Sequence, residues 1–409
     1  MTVPTRGPDE RGPARVMRLK MVFLFVVSLT WALSAVIDAQ RVVQPGDPLA
    51  GLTPHEMEAF TLGLEDFLEV EDAEEGLGPA FNGRSCAECH NIPAIGGISP
   101  MTEVRAGRRL ADGSFQDFDE ARGSLFQLFS LPTHGCQSVI PPDATVIARR
   151  APIPLFGAGF VDGIPDETIV AREDPDDIDG DGISGRAAWV VDRDTGDQRV
   201  GRFGWKAQVA TLLEFGADAY RNEMGITNAL FREELTFGLS DEQLRLCDPI
   251  PDPEDIPEPG TGLRGIDNFE SFMKFLAPIA RGPVTPSALA GEEVFAAVGC
   301  ASCHVPSLTT GPNVNPLFDR RPVPLYADLL LHDIGTGDGI RQAAGEPSEI
   351  RTPALWGLRF RRPLLHDGRA ATIADALLAH RGEARATMER LGTLSPTALS
   401  DLLSFLDSL

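Results

Sequence analysis

Two segments near the C-terminus carry apolar residues at helical spacing. In PSALAGEEVFAAVGCASCH a proline stands near the start, and apolar side chains follow at Leu289, Val294, Phe295 and Val298. The final stretch, SPTALSDLLSFLDSL, opens with a capping serine and a first-turn proline. It then places four leucines on one face, at Leu399, Leu402, Leu403 and Leu406. Both segments predict amphipathic helices.

Much of the remaining chain reads as loops between short helices. The 409 residues include 41 glycines and 33 prolines, and little β pattern appears. The segment CDPIPDPEDIPEPGTGLRG, from Cys247 to Gly265, combines prolines and carboxylates that neither continue a helix nor bury much surface. We therefore expect a mainly α protein with long loops and little β structure. We expect two domains, an N-terminal domain with insertions, 40–282, which includes this segment near its end, and a C-terminal domain, 283–409.

The N-terminus has the layout of a secretory signal. Four basic residues precede an apolar run from Met21 to Ile37, and Ala39 occupies a small-residue cleavage position. An uncleaved membrane anchor is the alternative, because the run is close to the shortest length that spans a bilayer. Both interpretations place the rest of the chain outside the cytoplasm, in the periplasm or secreted.

One five-residue pattern occurs twice and uses four of the six cysteines. It comprises Cys86, Cys89 and His90 in NGRSCAECHNIP, and Cys300, Cys303 and His304 in AAVGCASCHVPS. The likeness extends to a phenylalanine five residues before the first cysteine, Phe81 or Phe295, and to a proline soon after the histidine. An internal repeat of this kind needs a chemical explanation.

Three chemistries compete for the two motifs. Cys-x-x-Cys-His is the attachment signal of a c-type haem, in which both thiols become thioethers and the histidine is the proximal iron ligand. A four-cysteine zinc site usually has its two pairs about 15–20 residues apart, far closer than they are here. A redox dithiol does not need the histidine in both copies. We therefore expect two covalently bound haem c groups, with iron ligands His90 and His304.

Charge narrows the range of partners. The net charge of −24 argues against nucleic acid and against an anionic membrane surface, and it favours an electron donor with a basic face. Any membrane contact is expected only through the N-terminal run. The two remaining cysteines, Cys136 and Cys247, would form a disulfide or stay as buried free thiols.

An acidic segment, EDPDDIDGDGISGRAAW, has the beginning of a calcium loop. Asp177, Asp179 and Asp181 alternate and Gly182 follows, so three oxygen donors would lie on a turn. Ala188 stands where an EF-hand has its glutamate, so the motif is incomplete. The segment is either a calcium site or a plain acidic turn.

Three further segments carry a family resemblance. RTPALWGLRFRRPLLHDGRAATIADALLAH, LLLHDIG and GRFGWKAQVATLLEFGADAYRNEMGIT occur in the order found in bacterial di-haem cytochrome c peroxidases and MauG. The chain resembles this superfamily over most of 81–409, and it is most similar to the branch described as di-haem thiol oxidoreductases. All four motif cysteines are committed to haem, so the sequence offers no dithiol for that label.

The resemblance implies which residue is the second iron ligand of the second haem. His380 stands at the position from which the relatives supply a second axial ligand, a methionine or a tyrosine, after His-Asp-Gly. It therefore implies bis-histidine ligation by His304 and His380, and a lower potential than with a thioether ligand. The rival ligands, His332 and His366, are expected to be hydrogen-bonding residues in tight turns near the haem.

The resemblance also implies a reaction centre at the first haem. Ala106 stands where relatives often carry a removable histidine, which predicts an open sixth position. Glu223 matches the distal glutamate, a candidate acid–base residue for peroxide. Trp205 matches the aromatic residue between the haems, and Gln208 is expected to line the pocket.

These observations predict an exported di-haem oxidoreductase that reduces peroxide or another small oxidant with electrons from a donor protein or a small donor. Two alternatives stay open. A two-haem electron carrier would have both irons fully ligated, and a zinc-bound scaffold would have no haem.

Overall fold

The protein is described here by a computed structural model at residues 43–132, 136–247 and 256–409. The predicted leader, 1–39, and part of the Cys247–Gly265 segment lie outside these residues. Among the residues described, no helix is both long and apolar enough to cross a bilayer.

The helices are short and dispersed along the chain. In order they are α1 (Pro54–Leu68), α2 (Cys86–Cys89), α3 (Ala158–Asp162), α4 (Asp166–Val170), α5 (Leu212–Ala219), α6 (Asp241–Cys247), α7 (Gly265–Phe275), α8 (Pro286–Val298), α9 (Ile373–Ala379), α10 (Arg385–Leu391) and α11 (Pro396–Leu406). A π-helical turn, Tyr220–Met224, continues α5, and 3-10 turns lie at Cys300–Ser302, Leu358–Phe360 and Gly382–Ala384.

The strands form small antiparallel sheets. They are β1 (Ala80–Phe81), β2 (Glu103–Arg109), β3 (Phe115–Gln116), β4 (Leu125–Phe126), β5 (Phe129–Ser130), β6 (Val146–Arg150), β7 (Trp189–Val191), β8 (Gln198–Val200), β9 (Leu308–Thr309), β10 (Pro322–Val323), β11 (Leu331–His332) and β12 (Ile350–Arg351). In the largest sheet β2 pairs with β3, β4 and β6, with Arg105 opposite Ala148. The other strands pair as β1–β5, β7–β8, β9–β10 and β11–β12.

Both helices predicted from apolar periodicity are present. Thr285 caps α8, which ends at Gly299 with φ +94°, and Ser395 caps α11. The buried faces agree with the prediction in part, because Phe295, Val298, Leu402 and Leu406 are buried whereas Leu289 and Leu399 are exposed. The pattern did not predict the burial of Ala288 and Gly291 in α8 or of Phe405 in α11.

Two helix pairs cross in close contact, and this explains why the small residues Ala288 and Gly291 are buried. A Cβ at Gly291 would overlap the backbone oxygen of Asp401 in α11, and a Cβ at Gly63 in α1 would overlap that of Asn268 in α7. A phenylalanine follows each of these glycines by four residues. Its ring contacts the partner helix, at 5.1 Å for Phe295 and Phe405.

In the structure the counterpart of Phe295 is Phe67, and not Phe81, which the motif spacing suggested. Phe67, four residues after Gly63, lies 6.1 Å from the His90 ring, and Phe295 lies 6.4 Å from the His304 ring. Phe81 is in strand β1 instead. The first copy has additional chain between its helix and its cysteines, so matching by sequence offset selected the wrong phenylalanine.

The mainly α expectation holds only in part. Among the described residues, helices account for 30% and strands for 13%, which makes the fold mixed. Ten of the twelve described strands have only two or three residues, too few for alternation to be recognised, and the longest, β2, carries no regular alternation of apolar and polar residues. Residues Gln44–Leu409 form one compact unit. The division at 282–283 stays a prediction.

Candidate functional site

The two cysteine motifs line two different cavities. The first contains Cys86, Cys89 and His90 and encloses about 1150 Å³, part of it open to solvent. The second contains Cys300, Cys303 and His304 and encloses about 1260 Å³, also partly open. Because the motifs are in separate cavities, they do not combine into one four-cysteine zinc site.

Each motif histidine is held in the form that binds a metal. Nδ1 of His90 lies 2.8 Å from the carbonyl oxygen of Gly97, and Nδ1 of His304 lies 3.0 Å from that of Tyr326. A ring that donates from Nδ1 keeps its Nε2 lone pair for a ligand. Burial lowers the pKa of both histidines to about 4, so both rings are neutral at pH 7.

The motif thiols are unsuited to dithiol chemistry in this state. Burial raises the pKa of Cys89 to about 12 and that of Cys300 to about 11, and it also raises the pKa of Cys86 and Cys303. Redox-active cysteines have a lowered pKa, because the thiolate is the nucleophile. Two neutral thiols beside a neutral histidine on a largely apolar wall fit a covalently attached haem.

His380 repeats this arrangement in the second cavity. It ends helix α9, and its Nδ1 lies 2.7 Å from the carbonyl oxygen of Ala376. Burial lowers its pKa. His380 also contributes to the lowered pKa of His304, so the two rings interact electrostatically.

Of the rival histidines, His332 differs from this pattern, whereas His366 shares its burial and its lowered pKa, of about 4. Nε2 of His332 lies 2.9 Å from Asp328 and Nδ1 lies 2.7 Å from Glu383, and these hydrogen bonds raise its pKa well above the usual value. His332 therefore has no free lone pair. His366 is buried with its ring centroid 6.1 Å from that of Trp205, and its Nε2 has no hydrogen-bond partner among the described residues.

Glu223 lies in the first cavity. It belongs to the π-helical turn that follows α5, which ends at Gly225 with φ +70°. Its Oε2 accepts a 2.7 Å hydrogen bond from Nδ2 of Asn82. Burial and the neighbouring Glu103 carboxylate raise the pKa of Glu223 to about 8. Among the described residues that line this cavity, His90 is the only histidine.

Trp205 lines both cavities and is 5% exposed. Its Nε1 donates a 2.8 Å hydrogen bond to the carbonyl oxygen of Ala151, and the Arg361 guanidinium lies 5.4 Å from its ring. Gln208 lines the first cavity, where its Oε1 accepts a hydrogen bond from the backbone of Lys206. Ala106 is fully buried in β2 and is not among the lining residues.

Comparison with known protein families favours haem over a zinc site or a redox dithiol. The model described as "Di-haem oxidoreductase, putative peroxidase" matches residues 130–409. The chain belongs to this di-haem oxidoreductase family. The resemblance seen in the sequence is thereby confirmed, and the protein is a peroxidase-like di-haem oxidoreductase.

Solved structures similar to this oxidoreductase share little sequence with it. A MauG-like protein associated with microbial copper homeostasis is 16% identical, with TM-score 0.42 over 90% of this chain and 93% of that one. Hydrazine synthase from Kuenenia stuttgartiensis is 16% identical, with TM-score 0.40 over 90% and 96%. A variant of the di-haem peroxidase BthA from Burkholderia thailandensis is 17% identical, with TM-score 0.41 over 90% and 89%. Curated proteins gave no significant match.

The structure of this oxidoreductase adds a buried charge network that the sequence did not reveal. Arg150 and Lys206 both pair with Asp338, at 2.7 and 3.1 Å, and Arg105 pairs with Glu103 at 2.6 Å. Arg150 also lies 3.8 Å from Glu103. Glu103 and Arg150 line the first cavity. The partners are distant in sequence, and charged residues in a strand resemble a surface pattern, so no local signal marks them.

The acidic segment groups a different set of carboxylates from that predicted. Possible metal-binding atoms of Asp174, Asp177 and Asp179 all lie within 4.8 Å of one another. Asp181 is outside this group and accepts a hydrogen bond from the backbone of Ile183. Backbone amides donate to Asp174 and Asp177, so the turn is also stabilised without a metal.

Proposed function

We propose that the protein is an exported c-type di-haem enzyme that reduces peroxide at its first haem, with its second haem relaying electrons. The unequal distribution of histidines carries this proposal. The second cavity is lined by His304, His332, His366 and His380, whereas His90 is the only histidine among the described residues lining the first. A second histidine would therefore be available to hold the haem of the second cavity, whereas the lining of the first cavity would leave room for a substrate.

The motif residues would hold the two haems. Cys86 and Cys89 would attach the first, and Cys300 and Cys303 the second. His90, His304 and His380 would be the iron ligands, each with Nδ1 beside a backbone carbonyl. When bound, the haems supply the redox-active iron for the reaction.

Within the first cavity Glu223 would perform the acid–base work. Cleavage of the O–O bond needs a group that accepts a proton from one peroxide oxygen and returns it to the departing one. Asn82 fixes the orientation of the Glu223 carboxyl. Trp205 would link the two haem sites, and Gln208 would contact the substrate or an ordered water.

The disulfide supports a proposal for the compartment, and the net charge supports one for the electron donor. The Cys136–Cys247 disulfide favours an oxidising compartment, in agreement with the predicted leader. With a net charge of −24, the protein would accept electrons from a donor with a basic face.

The test is to replace Glu223 in haem-loaded protein from the periplasm. Glu223→Gln keeps the size of the side chain but removes the base, so it should slow the reaction with peroxide by about a hundredfold or more. The absorption spectrum should stay nearly unchanged. Glu214→Gln, which removes a buried carboxyl outside the lining of the cavity, is the control and should keep the wild-type rate. Two fully ligated haems that do not react with peroxide would instead identify an electron carrier.

A further inference from the structure

Two carboxyl groups meet in the first cavity. Glu103, in β2, and Glu223, in the π-helical turn, both line this cavity, and each carboxyl acts on the pKa of the other. Two ionised carboxylates have only acceptor oxygens and repel each other, so they cannot hydrogen-bond until one of them is protonated. A buried pair of this kind favours one proton for the two groups, which then carry a single negative charge.

The surroundings decide which carboxyl keeps the proton. Arg105 holds Glu103 with two hydrogen bonds, of 2.6 and 3.0 Å, and Arg150 lies 3.8 Å away. Glu223 accepts from the neutral Asn82 amide. Two cations beside Glu103 favour its ionised form, so the proton belongs on Glu223.

We propose that Glu103 is a positioning residue that keeps Glu223 protonated at neutral pH, so that the first cavity rests with a neutral carboxylic acid. The inference rests on the role proposed for Glu223. Glu223 then acts as a base only after the pair has released its proton to solvent. The pair afterwards carries two negative charges, which the two arginines balance.

The pKa values agree in direction with this geometry. Burial and the Glu103 charge raise the pKa of Glu223 to about 8, whereas the arginines hold the pKa of Glu103 below its usual value. Further charged groups act on residues around the pair, namely Asp218, Arg221, Asp338, Glu71 and Glu88.

Glu103→Gln should change the pKa of Glu223, which would not be expected if Glu103 had only a structural role. It removes the charge that opposes ionisation of Glu223 and leaves both arginines available to that carboxylate. The pKa of Glu223 should fall by about one unit or more, a tenfold change in proton concentration. Wild-type peroxide reaction should rise with pH through about 8. The variant should reach its plateau at lower pH and react faster at pH 7.

Infrared difference spectroscopy on the haem-loaded protein tests the shared proton without any peroxide. Wild type labelled with ¹³C-glutamate should lose a carboxylic acid carbonyl band as pH rises through about 8. Glu223→Gln should lack this band, and in Glu103→Gln it should titrate at lower pH. Glu214→Gln is the control, because it removes a different buried carboxyl, whose pKa of about 7 is also raised, and should keep the wild-type peroxide profile.

The outcomes separate this inference from the proposed function. Absence of the band in wild type, or an unchanged midpoint in Glu103→Gln, would overturn the shared proton. A correct band in a protein that ignores peroxide would overturn the peroxidase role alone. If Glu103→Gln does not fold, comparison of wild type with Glu223→Gln and Glu214→Gln still assigns the band, and a wild-type band that persists in Glu223→Gln overturns the inference.

Discussion

The histidines beside the two cavities differ in the hydrogen-bond partners of their ring nitrogens. In His90, His304 and His380 a backbone carbonyl is within hydrogen-bonding distance of Nδ1. In His332 carboxylates hold both nitrogens. A carbonyl fixes a neutral ring with a free Nε2, whereas two carboxylates stabilise the charged ring. Hydrogen-bond partners therefore separate proposed iron ligands from charge-pairing residues.

His380→Ala should open the second haem. Electron paramagnetic resonance of the oxidised protein should show one low-spin and one high-spin signal in wild type, because the proposed ligation gives two histidine ligands to only one haem. The variant should lose the low-spin signal and gain a second high-spin one.

The matched control is His366→Ala, which removes a buried histidine from the same cavity. It should keep the low-spin signal. Loss of that signal in the control, and its retention in His380→Ala, would reassign the ligand to His366.

Site residues can be proposed from the sequence most directly where their chemistry is local. The cysteine motifs are contiguous, so spacing alone identified Cys86 and Cys300. Glu223 was found only through resemblance, because an isolated glutamate carries no local signal. Glu103 was missed, since its role depends on contacts with Arg150 and Glu223, which are distant along the chain.

Among the elements, the two helix crossings depend on glycine. Gly63 lets α1 approach α7, and Gly291 lets α8 approach α11. The apolar pattern predicted that α8 and α11 would form and identified part of their buried faces, but it wrongly included Leu289 and Leu399. Periodicity weights large residues, whereas a close crossing buries small ones such as Ala288.

Gly291→Ala should destabilise the fold by about 1–3 kcal/mol, because the methyl group would overlap the Asp401 backbone and force the helices apart. Gly392→Ala is the control. Gly392 follows α10 in a right-handed helical conformation, and a Cβ there would make only ordinary contacts. Chemical denaturation of both variants measures the difference, and equal stabilities would show that the crossing tolerates a side chain.

The acidic segment gives a prediction of its own. If the carboxylates of Asp174, Asp177 and Asp179 bind calcium, a calcium concentration one hundred times the dissociation constant should stabilise the protein by about 2.7 kcal/mol. Asp174→Asn combined with Asp179→Asn should abolish the increase in melting temperature. Asp181→Asn should preserve it, because Asp181 lies outside the group. A wild-type melting temperature that ignores calcium identifies a plain acidic turn.

At the scale of the whole molecule, one disulfide joins distant parts of the chain. Cys136 and Cys247 are buried, 111 residues apart in sequence and 6.2 Å apart at Cα. Of the two alternatives that the sequence left open, a disulfide or two free thiols, the structure has the disulfide. Spacing could not decide it, because pairing depends on tertiary contacts.

Replacing both cysteines with alanine should lower the free energy of unfolding by about 2–5 kcal/mol, since a cross-link closing a long loop restricts the unfolded chain. Thermal denaturation of the haem-loaded variant checks this. Haem content should be unchanged, because all four attachment cysteines remain. A melting temperature equal to that of wild type would contradict the expected stabilisation.

The same bond also affects how the protein behaves after proteolysis. Ile178 is 84% exposed and lies within the loop that the disulfide closes, as do Trp205 and Glu223. A protease that cuts once at this site leaves two fragments joined through sulfur. The nicked protein should therefore migrate as one species in a non-reducing gel and separate into two once a reductant is added.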